Sequence, residues 1–72
     1  MTRHNDKWYQ RRLAKYFEVC YGEYEDTVEF FPDPSDRQWL FEIPELGLRV
    51  KLTCYDNGRV IEFRHRMGVV KQ

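Results

Sequence analysis

Residues 48–67, LRVKLTCYDNGRVIEFRHRM, decide how this chain folds. Alternating apolar residues run up to Asn57-Gly58 and away from it again, and Asn-Gly is the strongest short hairpin signal. A two-residue type I′ turn at Asn57-Gly58 predicts a definite register. Asp56 then faces Arg59, Cys54 faces Ile61, Leu52 faces Phe63, Val50 faces His65 and Leu48 faces Met67. Leu48, Val50, Leu52, Cys54, Ile61, Phe63 and Met67 share one side. On the other side Arg49 stands across from Arg66, and Lys51 from Arg64.

Working toward the N-terminus, the Pro44–Gly47 stretch PELG joins this hairpin to QWLFEI. Trp39, Phe41 and Ile43 then pair with Leu52, Val50 and Leu48. PDPSDR precedes that strand, and TVEFF before it supplies a first strand, with Phe30 near Trp39 and Val28 near Phe41. Earlier still the period becomes helical. Asn5 is a suitable N-cap, Asp6 complements the dipole, and Gly22 offers a left-handed stop. Tyr9, Leu13, Tyr16, Phe17 and Cys20 form the apolar face between them. The expected architecture is an α+β domain spanning residues 1–72, one N-terminal helix on one face of a four-stranded antiparallel meander, αββββ.

Seventy-two residues leave room for a single core, and two Trp, five Tyr and five Phe supply its bulk. The net charge is zero but segregated. Residues 1–15 are basic, residues 16–45 carry most of the carboxylates, and residues 46–72 are basic again. No stretch approaches the ~20 apolar residues of a membrane span, and the N-terminus lacks a secretory apolar region. Two widely spaced cysteines make neither a disulfide framework nor a zinc module, so free thiols in a cytoplasmic protein are expected.

Candidate chemistry is sparse. Cys20 and Cys54 read as core filler, and Cys54 is four residues along the strand from His65, roughly 13 Å, too far for a nucleophile and its base. His65 reads as inward-facing, and His4 as part of a mobile terminus. Neither histidine has a companion at metal-ligand spacing, and EYEDTVE lacks the pattern of a calcium loop. The sequence therefore predicts no enzyme, metal or cofactor.

It predicts a binding surface instead. On the outward face Phe31, Leu40, Tyr55 and Val60 interleave with Arg49, Lys51, Arg64 and Arg66. Trp8 either closes an open end of the core or extends that surface as an anchor. Such a face suits a protein partner with an acidic surface, which makes the chain an adaptor or inhibitor. The alternative is a nucleic acid, stacked on the rings and gripped at its phosphates. A near-neutral pI of about 6.7 weighs against that alternative. A homodimer through the outer face, or through the edge strand ending in MGVVKQ, is a further expectation.

Overall fold

The computed structural model describes residues 4–32 and 35–67. Helix α1 (Asp6–Tyr21) is followed by strands β1 (Glu29–Phe31), β2 (Gln38–Ile43), β3 (Leu48–Cys54) and β4 (Val60–Arg66), all antiparallel neighbours in one sheet of order β1-β2-β3-β4. This is the αββββ arrangement, an α+β fold. Asn5 starts the helix as expected, its side-chain oxygen accepting from the Trp8 N–H at 3.0 Å. Gly22 does not end it in the left-handed region. It keeps right-handed angles, and the chain tightens into a 3₁₀ turn, Gly22–Tyr24, closed by the Glu25 N–H on the Gly22 carbonyl.

Tyr9, Leu13, Phe17 and Tyr21 make one helical stripe, buried against Phe41, Ile43, Val50, Leu52 and Cys54 of the sheet. Phe41 is the hub. The rings of Phe17, Tyr21 and Phe30 meet it at centroid distances of 5.2, 5.5 and 5.4 Å. Cys20, expected in that stripe, is exposed, because it belongs to the helix flank above β4, where the sheet beneath turns polar and open after Glu62.

The β2–β3 register is the one the sequence predicts, with Trp39, Phe41 and Ile43 across from Leu52, Val50 and Leu48. The β1–β2 pairing lies two residues away from the expected one. Phe30 pairs with Phe41 and Phe31 with Leu40, which preserves the facing of every side chain.

The last hairpin overturns the sequence reading by a single residue. Cys54 pairs with Val60, Leu52 with Glu62, Val50 with Arg64 and Leu48 with Arg66. A type I′ turn needs positive φ at Asn57, yet among the described residues only Gly47 and Gly58 adopt it, at 61° and 88°. The loop has three residues instead. Gly58 N–H donates to the Tyr55 carbonyl, Tyr55 N–H donates to the Arg59 carbonyl, and Gly58 takes the left-handed position that ends such a loop. One added loop residue turns β4 over. Ile61, Phe63 and His65 face outward, while Val60, Glu62, Arg64 and Arg66 face the helix side.

Candidate functional site

The reversal of β4 has a chemical cause. Tyrosines on a buried helix face bring hydroxyls that need acceptors. Glu62 supplies one for two of them: Tyr16 donates to its Oε1 at 2.8 Å and Tyr21 to its Oε2, with Arg64 Nε at 3.5 Å. At the hairpin end Tyr9 donates to Asp56, which also pairs with Arg37 at 3.4 Å. The helix is thus pinned at both ends by tyrosine–carboxylate bonds. These bonds raise the affected phenols, Tyr9 through its bond to Asp56 and Tyr16 to about 12 through its bond to Glu62 and through burial.

A phenol held above its unfolded value of 10.0 adds stability below pH 10, and that contribution is lost as pH rises toward about 12. Urea midpoints measured from pH 8 to 12 are therefore expected to fall more steeply for the wild type than for Tyr16→Phe. Parallel profiles would mean that Glu62 does not hold Tyr16.

Two surfaces remain open. The first is the outer face of the sheet, which no described element covers. Its central row crosses all four strands: Phe31, Leu40, Lys51, Phe63. Phe63 is 68% exposed, and Ile61 lies on the same side beside Thr53. Lys51 Nζ sits 5.8 Å from the Phe63 ring centroid, and Arg49 Cζ the same distance from Phe31. Arg49 is already held by Glu42, with contacts of 2.5 and 2.9 Å to one carboxylate oxygen.

Of the nine residues predicted to bind a partner, Phe31, Leu40, Arg49 and Lys51 do share this face. Tyr55 is exposed at the turn. Val60, Arg64 and Arg66 are on the opposite side, carried there by the longer loop. Phe63, Ile61 and His65 take their place on the outer face, whereas the sequence pattern predicts all three inward. The signal that could have found them is the acceptor requirement of Tyr16 and Tyr21, which favours Glu62 over Phe63 beneath the helix.

The second surface is a groove of about 590 Å³ between the flank of α1 and the start of β4. Trp8, Arg11, Arg12, Lys15 and Val19 form its wall, and Gly58 and Val60 its floor. Trp8 is half-buried. His4 stacks on it at 3.5 Å, the Arg12 guanidinium lies 5.1 Å from its ring, and it meets Tyr9 edge-on. Trp8 thus closes the hairpin end of the core and also lines the groove. His4 is held in place as well, its Nε2 lying 3.2 Å from the Asp56 carbonyl.

The chain matches no protein-family model, no curated protein and no solved structure.

Proposed function

We propose that the protein is a non-catalytic binding module, an adaptor or inhibitor, whose protein partner docks on the outer face of the sheet. The observation that carries this reading is the row Phe31, Leu40, Lys51, Phe63, apolar at three of four positions and set on an uncovered face. Rings and arginines at the centre of an exposed patch are the residue types that dominate binding energy. The face holds Glu29 and Glu42 against Arg49 and Lys51, so apolar contact outweighs charge steering there. An acidic partner finds Lys51 and His65 less encumbered than Arg49. Nucleic acid is the weaker reading, because Arg64 and Arg66, two of the four cations it relies on, face the other side.

The non-catalytic part rests on placement. Cys54 is buried, its thiol pushed up by burial, and His65 is exposed on the opposite side of the sheet. Cys20 and Cys54 are free thiols, which suits the reducing cytoplasm. Among the described residues no helix is long and apolar enough to cross a membrane.

Affinity capture with the tagged protein tests the proposal, using wild type, Leu40→Asp, Phe63→Asp and the triple change Arg11→Ala, Arg12→Ala, Lys15→Ala, each with and without nuclease. The expected result is a protein retained by wild type and by the helix variant, resistant to nuclease, and reduced at least ~10-fold by either face variant. Retention by both face variants, or loss of the partner on nuclease treatment, would sink the reading.

A further inference from the structure

We infer that the free edge of β4 is a self-association site, and that its occupant is the β4 of a second copy, antiparallel and centred on Phe63. β4 is an edge strand of seven residues. Tyr55 N–H donates to the Arg59 carbonyl and Met67 N–H to the Gly47 carbonyl, so the odd-numbered residues of β4 bond to β3. The N–H and C=O groups of Val60, Glu62, Arg64 and Arg66 therefore point away from β3, toward the free edge. Among the described residues nothing pairs with them.

Two-fold pairing must match these groups with each other, which limits the registers to those centred on one residue. Charge then selects among them. Centring on Glu62 or Arg64 sets like charges face to face, and centring on His65 sets Arg64 against Arg66. Centring on Phe63 pairs Glu62 with Arg64 of the second copy twice, and Val60 with Arg66 twice. It also uses the whole of Val60–Arg66, since Phe63 is the middle residue of the strand.

On the outer face the two Phe63 rings then occupy a close, non-hydrogen-bonded pair, and Ile61 faces His65 of the second copy. The row Phe31, Leu40, Lys51, Phe63 continues across the axis as its own mirror. Arg11, Arg12 and Lys15 line the flank beside this edge in each copy and oppose approach, so association strengthens with salt and is best read at 0.15 M or above, where screening acts over about 8 Å. This inference rests on the edge geometry and is independent of what docks on the outer face.

Cysteine cross-linking in a Cys20→Ser background tests the register. Directly opposed Cα atoms about 4.5 Å apart lie within disulfide range. Phe63→Cys alone is expected to give a disulfide dimer on mild oxidation. Ile61→Cys and His65→Cys are expected to cross-link when mixed but not singly. In sedimentation, Arg64→Glu is expected to weaken the dimer at least ~10-fold while Leu40→Asp leaves it intact. A wild type that stays monomeric at high micromolar concentration, or equal cross-linking by all three single cysteines, would overturn the inference.

Discussion

Phe41→Ala is expected to destabilise the protein by roughly 3–5 kcal/mol, the range for removing a buried aromatic side chain. Phe41 has no exposed surface, and its ring is wedged among those of Phe17, Tyr21 and Phe30. Those neighbours sit on two separate elements, α1 and β1, so no single shift collapses the resulting cavity. At about 0.05–0.15 kcal/mol per residue a chain of this length has roughly 4–11 kcal/mol in all, so the variant is expected to be partly or wholly unfolded at 37 °C. Urea denaturation followed by tryptophan fluorescence measures it. The exposed Val19→Ala is the control, with a change within about 0.5 kcal/mol. A loss below about 1.5 kcal/mol at Phe41 would show that the aromatic cluster is not the centre of the core.

Gly58→Ala is the second large effect, expected at about 2–3 kcal/mol. A φ of 88° is a backbone that a side chain resists, at about 1–2 kcal/mol. The added Cβ would also lie 2.9 Å from the Arg12 guanidinium carbon, displacing a side chain whose Nε donates to the Gly58 carbonyl at 2.8 Å. Losing that bond adds roughly 0.5–1.5 kcal/mol. Asn57→Ala is expected to cost less, because its φ is ordinary and only its bond to the Arg59 N–H is lost. Equal losses at the two positions would point back to a two-residue turn with both residues left-handed.

The same turn shows where the sequence stops being legible. The helix, its Asn5 cap, the four strands and the β2–β3 register all follow from local pattern, since the alternation of QWLFEI and LRVKLTC has one sensible pairing across a short loop. Asn-Gly is different: it serves a two-residue turn and also a three-residue loop ending in a left-handed glycine. Apolar matching favours the first, because it buries Ile61 and Phe63. The fold takes the second, because the core must answer the Tyr16 and Tyr21 hydroxyls, and Glu62 answers both. That requirement joins residues 41 and 46 positions apart, beyond the reach of any local pattern. Four of the nine candidate residues were therefore legible as sharing the outer face. Phe31, Leu40, Arg49 and Lys51 depend on β1, β2 and β3, whereas every misplaced residue belongs to β4.

The two cysteines differ in what reaches them. Cys20 meets solvent, whereas Cys54 has no accessible surface and its thiol is pushed up by burial. A small electrophile in water thus finds one of them in the native state and both in the unfolded one. The chain carries an internal clock of its own opening: the modification of Cys54 counts excursions from the folded state, while Cys20 records only exposure time.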